Sequence, residues 1–400
     1  MTPRHSSSRG AKHRLRAYAS PVRWSLRLGS VSGIDIRVHF TFALLVLLSA
    51  SELGDLHGSR GAVFGALTVV CLFGCVVLHE LGHSLVAQRF GVGVREIVLL
   101  PIGGVARLLS EPKKPLHELS IALAGPLVNA FIALGLFLAL RVSPLQLLDL
   151  DELRKHALAP PSLRSLLFVL LQGNIMLALF NMIPALPMDG GRVLRASLSF
   201  FLGQVRATNV AAALAQVLAV ALAFYGFQYQ PLLVFIAILV FMGAGQERAT
   251  ARTNVLLSEL SAGEVCDPQA VTFEPGDSVG AAVDQTLRSS QANFLITHGI
   301  EPIGTLSRDD VVSLAGRVGL HAPLAAITRR GPQTVPPEMP LSEVRRVLQE
   351  NGGAPVVVRG EGAALGVLGL EDITRIASLT DHLARGGVRR PVASNPETSA

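Results

Sequence analysis

Long stretches without a charged side chain constrain the fold of this chain more than any other feature. The hydrocarbon core of a bilayer is about 30 Å thick, and a helix needs about 20 apolar residues to cross it. Half of the 400 residues are hydrophobic and 16% are charged, whereas a soluble domain is about 25% charged. The composition therefore predicts a membrane protein and excludes a single water-soluble domain. The charge-free runs are 38–51, 61–78, 119–140, 165–188 and 207–246.

The lengths of these runs predict about six transmembrane helices. The run 207–246 is long enough for two spans, and the segment 226–231 (Gly-Phe-Gln-Tyr-Gln-Pro) is the natural turn between them. Pro184 and Pro187 should end the helix of the preceding run, because proline interrupts helical hydrogen bonding. The run 38–51 is short for a span, and we count it because four longer runs follow it.

The distribution of basic residues predicts the orientation in the membrane. Residues 1–37 contain eight Lys and Arg and one acidic residue, and cytoplasmic segments carry such an excess. We therefore expect a basic cytoplasmic arm over residues 1–29, a cytoplasmic C-terminus after six spans, and residence in the cell membrane. Since residues 1–249 carry a net charge of +10 and the rest −4, the basic charge belongs to the membrane half, and we expect no nucleic-acid partner.

The second predicted span ends in a His-Glu-x-x-His pattern formed by His79, Glu80 and His83. Positions i and i+4 share one face of a helix, so the two imidazoles can bind one zinc ion. Glu80 lies beside the first ligand, where it can accept a proton from the attacking water. A purely structural histidine pair is the alternative, and the high cost of ionisable groups in an apolar helix disfavours it.

A catalytic zinc site needs a third protein ligand and an open fourth position. Asp189 is the only acidic residue between Glu152 and Glu247, and it follows the helix-ending prolines at the cytoplasmic end of the fourth span. We therefore expect Asp189 to reach the same depth as the pentad and to be the third ligand. The alternative is that Asp189 only caps the next helix.

These motifs resemble the site-2 protease family of intramembrane zinc metalloproteases. The pentad is followed by a segment from Asn181 to Gly191, Asn-x-x-Pro-x-x-Pro-Met-Asp-Gly-Gly, that is similar to a family motif. The segment 125–129 is similar to the family's Gly-Pro-x-x-Asn. Further resemblance lies in 33–42 and in Gly103-Gly104. The resemblance covers about residues 30–245, and we assign a protease domain to 30–248.

The resemblance implies that His79, His83 and Asp189 ligate one zinc ion and that Glu80 is the general base. It also implies substrates that span the lipid bilayer, such as membrane-tethered regulators released by regulated intramembrane proteolysis. Helical substrates must unwind before cleavage, and residues 91–109, rich in Val, Ile and Gly, predict short strands and a re-entrant loop that can clamp an unwound segment by strand addition. Residues expected to support the substrate or the site are Asn129, Asn181, Pro187 and Gly190.

The last third of the chain predicts a soluble α/β module. No run long enough to span a membrane occurs after Glu247. Instead a strand–helix–strand–strand–helix pattern occurs twice, which resembles a pair of CBS domains at 258–318 and 319–380. We expect this tandem to be cytoplasmic and regulatory, and the tail 381–400 to be disordered. The predicted fold class is thus a multi-pass α-helical membrane protein with a cytoplasmic α/β tandem CBS domain.

The CBS resemblance implies an adenine nucleotide bound between the repeats. Ser307 and Asp310 match the family's Ser/Thr-x-x-Asp contact to ribose. In the second repeat Gly369 replaces the hydroxyl residue, although Asp372 remains. The alternative is that both aspartates only cap helices. A homodimer formed through the CBS domains is a further expectation from the resemblance.

Two other functions are open at this point. One is a CBS-regulated transporter or channel in which the His, Glu and Asp cluster lines an ion path. It is disfavoured because the chain has no visible inverted repeat of spans and because the pentad has the spacing of a hydrolytic zinc site. The other is a catalytically inactive scaffold, which the presence of every required residue disfavours.

Overall fold

A computed structural model describes most of the chain. Residues 1–23 of the basic arm and residues 386–400 of the tail lie outside the described residues, whereas residues 381–385, predicted to be disordered, form the end of the last helix. The chain divides into two compact units, one of Ser20–Ala251 and one that contains Arg252–Ala400; each is described by itself. The described residues are 24–101, 103–109, 112, 114–141, 155–156, 158, 160–266, 270–289, 291–299, 301–326, 329–360 and 364–385.

The first unit contains a four-stranded sheet in the order β1-β2-β3-β4. The second and third strands pair in parallel, and the outer pairs are antiparallel. Buried side chains of β2 and β3 pack against the helix that carries the pentad. The strands predicted over 91–109 are confirmed, and β4 is an edge strand. The bounds are β1 Ser25–Val31, β2 Ile34–His39, β3 Val94–Leu100 and β4 Gly103–Leu108.

The first helix, α1 (Thr41–Arg89), is a hairpin of two helical arms. The chain turns at His57 and Gly58, and Gly58 has a left-handed φ of 63°. Between the two arms, the Ser49 hydroxyl donates a hydrogen bond to the Gly65 carbonyl at 3.2 Å. A Cβ at Gly65 would overlap the Ser49 carbonyl oxygen, so glycine allows the arms to pack closely. The arms correspond to the first two predicted spans.

Five helices of the described residues are long and apolar enough to cross a membrane: α1, α2, α3, α5 and α6. The helix α3 ends before Pro184, and one residue separates α5 from α6, so both predicted helix ends are confirmed. Buried alanines of α5 pack against the turn that precedes α4, as small residues do between membrane helices. The bounds are α2 Pro115–Leu140, α3 Leu163–Asn181, α4 Asp189–Leu202, α5 Gln204–Tyr229 and α6 Pro231–Glu259.

The second unit has the repeated strand–helix–strand–strand–helix order that the sequence predicts. The first repeat is β5 (Thr272–Phe273), α8 (Val279–Arg288), β6 (Asn293–His298), β7 (Glu301–Ser307) and α9 (Arg308–Val318). The second repeat follows β8 (Arg329–Arg330), which pairs with β7. Each repeat encloses its own apolar core. The remaining elements are α7 Ala262–Val265, β9 Thr334–Val335, α10 Leu341–Glu350, β10 Val356–Arg359, β11 Ala364–Leu368 and α11 Leu370–Arg385.

Candidate metal centre

Three side chains from two distant parts of the sequence converge inside the first unit. His79 and His83 lie one turn apart on α1, and Asp189 is the first residue of α4. The two Nε2 atoms are 3.1 Å apart, and the Asp189 Oδ2 atom lies 3.2 Å from His79 Nε2 and 3.1 Å from His83 Nε2. All three residues are buried. The predicted helical pentad is therefore confirmed, and Asp189 lies against it.

The orientation of His83 is fixed by a backbone partner. Its Nδ1–H donates to the Ile121 carbonyl oxygen of α2 at 2.6 Å. With the proton on Nδ1, the Nε2 atom presents a lone pair to the cluster, as a metal-binding imidazole requires. His79 has no such anchor, because its Nδ1 atom is buried without a hydrogen-bond partner.

The donor set and its spacing fit a zinc ion. Two imidazole nitrogens and one carboxylate oxygen are a common ligand set of catalytic zinc. Ligand atoms placed tetrahedrally at about 2.0–2.1 Å from zinc are separated by roughly 3.3 Å, and the measured separations are 3.1–3.2 Å. A Cβ at Gly125 of α2 would overlap His83 Nε2, so this glycine keeps the space beside the ligands open.

Glu80 lies between the pentad histidines and the sheet. A Cβ at Gly104 of β4 would be 3.1 Å from the Glu80 carboxyl carbon, so the edge strand passes directly beside this acid. A larger residue at position 104 would displace the Glu80 side chain. The sequence resemblance included Gly104 only as part of a motif, and the structure supplies the physical reason for a glycine there.

The turn before α4 delivers Asp189 to the cluster. Gly190 is buried, and a Cβ there would overlap the carbonyl oxygens of Met182 and Ile183, so the turn folds tightly onto the first turn of α4. Pro187 contacts α6, since a Cβ at Gly243 would be 2.8 Å from its Cγ. The N-cap residue of α4 is Met188, which makes no side-chain cap, and the Asp189 carboxylate contacts both histidines.

The two predicted asparagines differ in burial and in their place on the helices. Asn129 is fully buried on α2, one turn after Gly125, and neither of its side-chain polar atoms has a hydrogen-bond partner. Since positions i and i+4 share a face, Asn129 lies on the face of α2 that borders the cluster. Asn181 is the last residue of α3 and is partly buried. Among the described contacts, neither asparagine hydrogen-bonds to the three clustered residues.

Two arginines of α4, Arg192 and Arg195, follow Asp189 closely in the sequence, and the sequence motifs assign neither of them a role in the site. Arg195 forms an ion triad, with its Nε 2.6 Å from an oxygen of the buried Glu118 and its Nη1 2.9 Å from an oxygen of the partly exposed Glu247. This triad fastens α4 to α2 and α6. Arg192 lies one turn after Asp189, and its charge acts on the carboxylates of both Asp189 and Glu80.

The predicted nucleotide contacts form a helix cap. The Ser307 hydroxyl accepts a hydrogen bond from the Asp310 amide at 3.2 Å and donates one to the Asp310 carboxylate at 2.8 Å. This reciprocal capping box begins α9 and is the arrangement expected of the capping alternative. In the second repeat, the Asp372 carboxylate accepts a hydrogen bond from the Gly369 amide at 3.0 Å, and Asn293 of the first repeat donates to it at 2.7 Å.

Comparisons with known proteins identify the families to which parts of this chain are similar. The model of peptidase family M50 matches residues 67–225, and the CBS domain model matches residues 324–378. A zinc metalloprotease of Methanocaldococcus jannaschii is 30% identical over 90% of this chain and 98% of its own length. Stage IV sporulation protein FB of Bacillus subtilis is 29% identical over 33% of this chain and 42% of that protein.

A solved site-2 protease from Methanocaldococcus jannaschii is 38% identical to this chain, covers 56% of it and 95% of the solved chain, and superposes with a TM-score of 0.42. The identification rests on the sequence matches, which favour the protease over the transporter alternative. The chain belongs to peptidase family M50 and is an intramembrane zinc metalloprotease of the site-2 protease type that carries a CBS domain.

Proposed function

We propose that His79, His83 and Asp189 hold one zinc ion and that Glu80 is the general base for hydrolysis of peptide bonds in or near membrane-spanning segments. The observation that carries this proposal is that one ligand atom of each of the three lies within 4.8 Å of the others. Asp189 and His83 are 106 positions apart in the sequence. Local backbone geometry therefore does not explain their contact, whereas a shared cation does.

The chemistry follows from where the side chains lie. A zinc ion supplies a Lewis acid that polarises the scissile carbonyl and makes water acidic near neutral pH. Glu80 accepts a proton from the attacking water at its carboxylate and later delivers it to the leaving amine nitrogen. The Ile121 carbonyl holds His83 in the tautomer that presents Nε2. Asn129, with unpaired polar atoms beside the cluster, would bind the substrate backbone.

The edge strand β4 would bind the substrate by strand addition. An unwound segment that adds to β4 would make backbone hydrogen bonds along the strand and would run beside Glu80, because Gly104 contacts that side chain. Val105 of the same strand is 46% exposed, which is consistent with a surface that receives a partner. Asn181, Pro187 and Gly190 would support the site by shaping the turn that carries Asp189.

A six-span topology is part of this proposal. The two arms of α1 would cross the membrane separately, and α2, α3, α5 and α6 would supply the other four crossings. The basic arm of residues 1–29 and the C-terminal module would then be cytoplasmic. Labelling of single cysteines introduced at Ser20 and Ser313 from either side of the membrane tests this; labelling of either site from the outside alone would contradict it.

We propose that the C-terminal module is a tandem of CBS domains at 258–318 and 319–380 that regulates the protease. The repeated order of elements supports two repeats, although the family model matches residues 324–378. An adenine nucleotide at Ser307 and Asp310, and a homodimer through the module, are parts of this proposal. Calorimetric titration of the full chain with AMP and ATP tests nucleotide binding, and no heat at millimolar ligand would contradict it.

The catalytic proposal is tested in liposomes with a model transmembrane substrate. We expect Glu80→Gln to lower the rate constant of cleavage by about 10²–10⁴-fold, the usual contribution of a general base, while zinc content stays at one per chain. Glu52→Gln is the matched control, because Glu52 is an exposed acid on the same helix. Cleavage by Glu80→Gln at the wild-type rate would overturn the role of Glu80.

A further inference from the structure

Arg192 lies on α4 close to the ligand Asp189, and none of the salt bridges among the described residues includes it. It lies three positions after Asp189 on α4, and residues at this spacing share a helix face. Its Nε atom is buried and has no hydrogen-bond partner. Among the described residues, no carboxylate lies within salt-bridge distance of its guanidinium, although its charge acts on Glu80 and Asp189.

Arg195, one turn further along the same helix, shows how a structural arginine is satisfied here. Its guanidinium reaches two carboxylates, from Glu118 and Glu247, and its side chain is 11% exposed. The two arginines therefore lie on the same helix but differ in their ion-pair partners. The buried Nε–H of Arg192 lacks an acceptor, and an unsatisfied buried donor costs free energy. Arg192 is thus the arginine whose N–H donors remain available to a bound substrate.

The acceptor for these donors must be a group that is present only when substrate is bound. During peptide hydrolysis, the carbonyl oxygen of the scissile bond gains negative charge as the water oxygen bonds to the carbonyl carbon. Preorganised donors aimed at this oxygen stabilise the transition state more than the ground state. Arginine suits the task, because it stays charged and presents several N–H donors in a rigid plane.

We propose that the Arg192 guanidinium donates a hydrogen bond to the scissile carbonyl oxygen and stabilises its developing negative charge. The inference rests on the proposed roles of Glu80 and the clustered ligands. As the C–O bond forms, the water proton moves to Glu80 and the carbonyl π electrons move to the oxygen beside Arg192. When the carbonyl reforms, the C–N bond breaks and Glu80 returns the proton to the amine.

The first test compares Arg192→Gln with Arg195→Gln in the full chain. For Arg192→Gln we expect kcat to fall about 10²–10³-fold, as for loss of one oxyanion donor, with KM changed by less than about threefold, zinc retained and the melting temperature not lowered. For Arg195→Gln we expect a lower melting temperature, because the buried Glu118 and the partly exposed Glu247 both lose an ion-pair partner. Arg192→Lys should retain more activity than Arg192→Gln, since it keeps the charge.

A second readout does not depend on turnover. A peptide inhibitor with a tetrahedral phosphinate in place of the scissile amide carries the charge of the transition state, and its affinity for Arg192→Gln should fall about 10²-fold or more. The affinity of an uncleaved substrate peptide for Glu80→Gln should be the same with or without the Arg192 change. Wild-type kcat or phosphinate affinity in Arg192→Gln would overturn the inference, as would a lower melting temperature with an equal loss of zinc. If Glu80→Gln also cleaves normally, the proposed mechanism itself has failed.

Discussion

Asp189 and Asp310 both lie in the first turn of a helix, yet their carboxylates have different partners. Asp310 bonds to Ser307, three residues before it, and closes a capping box. Asp189 follows Met188, which has no hydroxyl to share in such a box, and its carboxylate reaches histidines more than a hundred positions away. The two acids also differ in position, because Asp310 is the third residue after its N-cap, where a capping box forms, and Asp189 is the first.

Loss of the Asp189 carboxylate should have the largest effect. In Asp189→Ala, two imidazoles alone would face the ion, and we expect zinc to fall from one per chain to trace amounts and cleavage to fall to the background rate. Elemental analysis after dialysis measures the zinc, and the substrate assay in liposomes measures cleavage. Asp55→Ala, which removes an exposed acid of α1, is the control. Full zinc retention in Asp189→Ala would mean that Asp189 is not a ligand.

A methyl group at Gly125 should have the next largest effect. The added Cβ would overlap His83 Nε2 and approach His79 Nε2, so we expect zinc affinity to fall by about 10–100-fold, similar to loss of a supporting contact. Gly135→Ala is the matched control on the same helix, because nothing lies within 4 Å of its Cβ position. Titration with a competing chelator measures the affinity. Equal affinities in the two variants would show that Gly125 does not border the metal.

The smallest expected effect concerns the capping box of α9. Ser307→Ala removes a side chain that accepts from the Asp310 amide, and such a loss costs about 1 kcal/mol. We expect amide hydrogen exchange in the first turn of α9 to be about fivefold faster, with no change in zinc content. Arg317→Gln, at an exposed position in the last turn of the same helix, is the control. Unchanged exchange in Ser307→Ala would mean that the box adds no stability.

The sequence predicted those parts of the site that depend on local spacing. The i, i+4 histidines, the proline break before Asp189 and the strands over 91–109 are all short-range patterns, and the structure contains each of them. The match between residues such as Gly125 and His83, or Arg195 and Glu118, depends on which helix faces lie against each other. The spacing of residues along one helix does not determine which helix faces pack together. The sequence therefore could not distinguish Arg192 from Arg195, which differ in their ion-pair partners.

X-ray absorption at the zinc edge of the purified full chain tests the central assignment most directly. The account predicts one zinc per chain with two nitrogen ligands at about 2.0–2.1 Å and one or two oxygen ligands at about 2.0–2.2 Å, without sulfur. It also predicts the loss of this signal in Asp189→Ala. A zinc–sulfur distance near 2.3 Å, or an unchanged spectrum in Asp189→Ala, would contradict the ligand set of His79, His83 and Asp189.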